Sequence, residues 1–403
     1  MKFVASVLPA ELTQSAVREA ARQGWLLQST GETRCGFGGV ARQVEVASLE
    51  DGVDVQHVFE GLVCERRELL TGFAAVPFSR AEAFTITIPR VTVILRSDQP
   101  SVVVHLESED PLSYITTSDI PIAAPRAIRL SYEPGPDDYA TAVAEAVEHL
   151  RRGDLSKVVL ARSCQGEFAS DVTGDAIAAR LHDLEPTCTI YSLPATDGYR
   201  FVGASPELLV SLSEDSLLCH PLAGTISTEG VGDTSAYATW LLGSSKNRTE
   251  HRFVIDDIVD RLGAIATEVT ADAEPSIVRL RSVTHLGSRI TARPLPDVTS
   301  MDALASLHPT PAVGGLPRQQ AIELIEKLES RPRGAYAGAV GWCTSTGEGA
   351  WWVAIRGIAF RRREFTLWAG AGIVAESDPI AEREETRNKL DSVMRAIGVG
   401  TLN

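Results

Sequence analysis

The chain has 403 residues, of which 44% are hydrophobic and 23% charged. That composition excludes a disordered chain and is enough for two to three domains of about 150 residues or one large unit. Acidic residues outnumber basic ones 53 to 38, for a net charge of -15, which excludes a phosphate-backbone-binding face and a polybasic membrane anchor. An anionic small-molecule substrate remains open, provided arginines or a divalent cation meet it locally against the global field.

The opening MKFVASVLPAELTQ is cut by Pro9 and Glu11, too soon for a secretory apolar core. No run of 18 apolar residues predicts a membrane helix, so the expected location is the cytoplasm, without membrane or nucleic-acid partners. Cysteines 35, 64, 164, 188, 219 and 343 show no C-x-x-C spacing. They read as buried thiols of a reducing compartment.

The first third is strand-rich. VARQVEV (40–46), FTITI (84–88), VTVILR (91–96) and SVVVHLE (101–107) show β-branched enrichment and alternation. AAPRAIRLSYEPGPDD (123–138), with three prolines, reads as a connection and as the seam of the chain. Residues 1–130 then form a variable N-terminal part, and 131–397 a catalytic region of the same fold. Tyr139, Val143, Val147 and Leu150 predict a helix over 138–152, ended by Gly153.

KVVLARSCQGEF (157–168) reads as a strand and 175–183 as a short helix. Strands follow at 187–194, 199–204 and 207–212, with a corner at Ser205-Pro206. Helices are predicted from 234 and over 245–266, divided or kinked at Gly243, and over 317–329 with Pro317 at the first helical position. Strands recur at 336–344, 351–360 and 364–370. A last helix starts at Pro379, capped by Asp378, and runs to 397. Strands arrive in runs instead of alternating with helices. The predicted class is therefore α+β, a large, mostly antiparallel sheet sandwich flanked by helices.

Three carboxylates stand out by position. Glu250 lies one helical step before the apolar stripe Val254, Ile258 and Leu262. Glu382 and Glu385 lie eight residues before Leu390 and Val393 of the last helix. Inward acids are costly unless paired or bound to a cation, and carboxylates without soft ligands point to Mg2+. The plainer alternative is that first-turn acids complement the helix dipole. Lys157 heads an apolar strand and, buried and neutral, would serve as a base; the alternative is a strand-end lysine reaching solvent. Glu207 opens a strand, where it is either solvated or held protonated as an acid. Arg356, inside an apolar strand, needs an anionic partner. Glycines in PLAGTIS (221–227), AVGGLP (312–317) and AGAGIV (369–374) would let backbone approach an anion. They match neither a dinucleotide fingerprint nor a Walker motif.

Taken together, these stretches resemble the chorismate-utilising enzymes. The matching strings are KVVLAR (157–162), FVGASPELL (201–209), PLAGT (221–225), SKNRTEH (245–251), THLGS (284–288), HPTPAVGGLP (308–317), YAGAVGW (336–342), AIRG (354–357) and AGAGIVAESDPIAEREETRNKL (369–390). The resemblance implies that Lys157 is the general base, Glu207 the general acid, and Glu250 and Glu385 ligands of Mg2+, with Glu382 direct or through water. It also implies that Gly224, Thr225, His285, Ala312, Tyr336, Arg356, Gly370, Gly372 and Lys389 line a chorismate pocket.

The segment with His308 is most like that of isochorismate synthases. The implied reaction adds water at C2 of chorismate and expels the C4 hydroxyl. Two departures bear on subtype: Asn247 where the family often has Asp, and Thr225-Ile226-Ser227 in place of a more basic continuation. Salicylate formation, amination by ammonia, and binding of chorismate without catalysis are the alternatives. No glutaminase motif occurs in the sequence, so no obligatory glutaminase partner is expected, and the resemblance allows a monomer or a weak homo-oligomer.

Overall fold

The computed structural model describes residues 1–115, 124–195, 198–227 and 234–399; the side chains of 227–238 lie outside the description. Among the described residues twenty strands join in one sheet and three in a second, smaller one, with nine α-helices between and around them. Among the described residues nearly every pairing is antiparallel; Lys2–Val7 against Val63–Cys64 is parallel. This is the α+β architecture the strand runs predict.

The central element is Lys157–Phe168. It pairs along ten positions with Glu364–Ile373, and its other edge is shared by Ala127–Glu133 and the two-residue strand Gly315–Leu316. Eight of its first residues are buried in succession, as expected for a strand covered on both faces. The first third belongs to the same sheet: Trp25–Gln28 pairs with Thr189–Pro194, and Thr71–Val76 with Ala339–Thr344.

Several boundaries differ from expectation, each for a physical reason. The segment read as a connection contains the strand Ala127–Glu133, because Pro125, Pro134 and Pro136 flank the alternating stretch without interrupting it. FTITI and VTVILR are one strand, Phe84–Arg96, in which Pro89 sits where the register against Glu32–Val46 is irregular and its missing N–H is tolerated. The helix expected to reach 266 ends at Leu262, and Ala266 opens a strand. Pro317 caps helix Arg318–Leu328 from outside. The expected strand 351–360 is two strands, Gly349–Val353 and Gly357–Arg361, pairing with different neighbours.

Helix stripes behave as read. Tyr139, Val143, Val147 and Leu150 of Pro136–Arg151 are buried. Val254, Ile258 and Leu262 of Ser245–Leu262 join the same apolar cluster as Val158, Leu160, Ala371 and Ile373 of the central strands. Leu390 and Val393 of the last helix, Pro379–Ala396, enter a second cluster. Asp378 caps that helix by accepting from Ile380 and Ala381 N–H. Both glutamate-bearing helices thus pack towards the central strand pair. All six cysteines are buried free thiols.

Candidate active site

Lys157 is fully buried, so the strand end does not reach solvent. Its Nζ lies 3.1 Å from Glu250 Oε1 on the facing helix. Gly372, on the strand paired with Lys157–Phe168, leaves the space for this meeting. A Cβ there would fall 2.2 Å from Glu250 Oε1 and 3.2 Å from Lys157 Cε.

Glu207 stands between strands Arg200–Ser205 and Leu208–Ser213 and is 3% exposed; edge solvation does not apply. Burial pushes its carboxyl up to about 7, against a hydrogen bond from Leu222 N–H and the charges of Lys157 and Lys389. Its carbonyl accepts Val353 N–H at 3.1 Å, which fixes the backbone at the strand opening.

Arg356 does not lie within a strand. It occupies the break between Gly349–Val353 and Gly357–Arg361 with φ 53°, in the left-handed region. The chain changes partner strands there, and that turn aims the guanidinium inward. Arg356 Nη2 donates to His285 Nε2 at 3.2 Å. His285 Nδ1 must then carry the proton and donate to Thr225 Oγ1 at 2.9 Å. Burial, then the charges of Arg356 and Lys389, hold His285 well below the ordinary histidine range, hence neutral. Thr225 and His285 are register partners in the small sheet, Leu222–Ser227 against Val283–Gly287. Among the described residues Arg356 has no carboxylate ion pair; the negative charge that acts on it most is that of Glu185.

Tyr336 is buried and stacks on Trp368, with centroids 5.9 Å apart and planes 13° off parallel. Lys389 Nζ donates to Gly370 carbonyl at 2.9 Å and lies 2.7 Å from Glu385 Oε1. Glu207, Thr225, Glu250, His285, Ala312, Tyr336, Arg356, Gly370, Gly372 and Lys389 line one cavity. It holds about 630 Å3 of space free of protein atoms, its solvent-filled mouth included. Gly224 backs this wall: with φ 74°, it packs its Cα side against Asn247, leaving a Cβ only 3.0 Å from Asn247 O. Asn247 itself is buried and donates from Nδ2 to the cap residue Ser244 at 2.9 Å. Of the Thr225-Ile226-Ser227 departure, the Ser227 side chain lies outside the described residues.

His308 does not reach the cavity; its buried Nε2 lies 2.9 Å from Pro77 carbonyl and holds the loop to the N-terminal part. Glu382 and Glu385 do not line the cavity either. Glu382 is 2% exposed, and its Oε1 accepts from Lys246 Nζ at 2.6 Å and Ser377 Oγ at 2.7 Å. Burial, and next the charge of Glu385, push its carboxyl up to about 7. Glu250, Glu382 and Glu385 are hard oxygen donors, two of them close enough to repel, and a hard cation would relieve that repulsion. As they stand, each holds a lysine. Among the described residues no three acidic, histidine or cysteine side chains converge on one point.

Trp368, Pro206 and Lys246 belong to this neighbourhood, and nothing in the sequence marks them as site residues. Trp368 is one aromatic in a strand whose alternation alone does not say which face meets the cavity.

The sequence profile of a family described as chorismate binding enzyme matches residues 80–398. The chain belongs to the chorismate-binding enzymes. The family match begins inside the part read as variable, 50 residues before the seam at 130. Among these enzymes, isochorismate synthase DhbC of Bacillus subtilis (strain 168) is 32% identical over 374 residues, 88% of this chain and 89% of its own. A Mycobacterium tuberculosis (strain H37Rv) protein provisionally named isochorismate synthase MenF is 41% identical over 281 residues, 66% of this chain and 74% of its own. The solved structure of MenF, the menaquinone-specific isochorismate synthase from Escherichia coli, superposes with a TM-score of 0.83. It is 26% identical and covers 98% of this chain and 94% of its own. Among the described residues, no helix of this chorismate-binding enzyme is long and apolar enough to cross a membrane.

Proposed function

We propose that this protein is an isochorismate synthase, converting chorismate to isochorismate by addition of water at C2 and departure of the C4 hydroxyl. One observation carries the reading: a cavity that holds Arg356 also holds Glu207, a carboxylic acid pushed up to about 7, and Glu250, behind which the fully buried Lys157 lies 3.1 Å away. Water attack needs a base and the departing hydroxyl needs an acid, and the two must act at different ring positions. Lys157, in its neutral form, takes the proton from water. Glu207, protonated at the start, gives its proton to the leaving oxygen.

Arg356 binds a substrate carboxylate in a two-pronged fashion. Neutral His285, locked by Thr225 in the tautomer with Nδ1–H, keeps Nε2 towards Arg356 and orients its guanidinium. Tyr336, braced on Trp368, supports the same end. Glu250 and Glu385, with Glu382, would hold Mg2+, which when bound would neutralise a substrate carboxylate and strengthen its electron withdrawal from the ring. The reading needs no glutaminase partner. The names of the relatives support it as well: DhbC and MenF are both named isochorismate synthases.

The test is incubation of purified protein with chorismate, with and without Mg2+, in the absence of ammonia, with products identified by chromatography and mass. A Mg2+-dependent product of unchanged mass and new retention is expected. Salicylate with pyruvate would move the protein to the salicylate-forming branch. An amino product, formed only with ammonia, would make it an aminating synthase. Binding of chorismate without any product would leave a binding protein.

A further inference from the structure

The three candidate metal-binding glutamates are each closed by a different lysine. Glu250 meets Lys157 at 3.1 Å, Glu385 meets Lys389 at 2.7 Å, and Glu382 meets Lys246 at 2.6 Å. Each of these glutamates thus faces an amine of its own, in three separate pairs. The lysines are not equivalent. Lys157 is sealed, with no side-chain exposure, and Lys389, 16% exposed, is also held by the Gly370 carbonyl. Lys246 is 34% exposed and sits in the first turn of Ser245–Leu262, from which a four-carbon stem reaches solvent by rotation about its own bonds. Its partner Glu382 is 2% exposed and cannot leave. Lys246 and Ser377 Oγ both donate to the same oxygen, Oε1, and the ammonium charge of Lys246 opposes a cation on either oxygen of Glu382.

We infer that Lys246 is an internal counter-cation of the free enzyme, which divalent metal must displace from Glu382 in order to bind there. This rests on the Mg2+ reading above and adds to it a competitor supplied by the chain itself. The pair offsets the like charge of Glu385 and keeps a buried acid from standing alone. The same pair sets a threshold for the metal, since Mg2+ gives up its waters reluctantly and must also break an ion pair.

The experiment is calorimetric titration of Mg2+ into metal-free full-length protein without substrate, for wild type, Lys246→Met and Lys246→Arg. Lys246→Met is expected to bind Mg2+ about two- to fivefold more tightly, the upper part of the range of one partly solvated ion pair. Lys246→Arg keeps the competitor and should stay within twofold of wild type or bind more weakly. In thermal unfolding, Lys246→Met should be less stable than wild type without metal and gain more from saturating Mg2+. Mg2+ binding by the variant but not by wild type would also support competition. If wild type binds Mg2+ and Lys246→Met binds equally well or more weakly, the inference is overturned and the metal reading survives. If neither protein binds Mg2+, the metal reading itself fails and takes this inference with it.

Discussion

Two side chains, Lys157 and Glu207, define the chemistry at the residue scale, and both are buried. Lys157→Ala and Glu207→Gln should each lower turnover by about 10²- to 10⁴-fold, the usual range for a positioned acid or base. Chorismate binding by calorimetry should persist, because Arg356 and Tyr336 are untouched; normal turnover in either variant removes the acid–base assignment. Glu207 also predicts a stability profile. Its carboxyl is raised in the folded protein from 4.5 to about 7, so the fold favours the protonated form. That contribution is complete below pH 4.5 and is lost as pH rises through 7. Wild type should therefore lose melting temperature between about pH 5 and 8. Glu207→Gln should lose less, with the remainder carried by Glu382, whose carboxyl is raised similarly. Parallel profiles for the two proteins would contradict the buried acid. Lys157, Glu207 and Glu250 were legible as candidates because each is a charged residue where an apolar pattern demands an inward one. Lys246 was not, because one lysine in a helical first turn carries no such conflict.

At the scale of elements, the site depends on how the central strand is braced. Arg333, just after helix Arg318–Leu328, donates to Val313 carbonyl at 2.7 Å and Val159 carbonyl at 2.7 Å, and its Nε donates to Glu329 Oε2 at 2.9 Å. Glu329 in turn accepts Ala161 N–H at 2.8 Å. This buried pair ties the 308–317 loop to the strand that begins with Lys157, and Val159 and Val313 both line the cavity. Glu329→Ala leaves a buried guanidinium without its carboxylate and should cost about 3–5 kcal/mol in denaturant unfolding. A loss under about 1 kcal/mol would mean the pair is no more than a surface bridge. Gly372→Ala tests the facing strand. Its Cβ would collide with Glu250 Oε1, so Lys157 and Glu250 must part. We expect turnover to drop by more than about tenfold, the effect of a misplacement of about 1 Å, with the far-ultraviolet dichroism unchanged; full activity would show that the pair tolerates separation.

The molecule as a whole carries net charge -15, yet the proposed substrate is a dianion. The global field opposes its approach, and only local cations reverse that inside the cavity. The value of kcat/KM should then rise modestly as ionic strength goes from about 0.01 to 0.15 M at fixed free Mg2+, because screening weakens the long-range repulsion more than the close contacts. A steep fall would show that a local positive potential steers entry instead.

What the sequence determined by itself is periodic and local. Strand runs gave an antiparallel α+β class, helix stripes gave the inward faces, and strings such as SPELL and E-x-x-E marked the family resemblance. Register, partner switching and the break at Arg356 came only with the tertiary structure. The apolar run through residues 351–360 looks continuous, because alternation does not record which neighbour a strand pairs with. Thr225 and His285, 60 residues apart, meet only because two short strands align in one register. The pairing of Glu250 with Lys157 and of Glu382 with Lys246, from distant segments, is likewise a product of packing, whereas Glu385 and Lys389 are one turn apart on the same helix. The sequence marks Lys157 and the three glutamates as inward charges, but which lysine meets which glutamate across segments follows only from how the strands and helices pack.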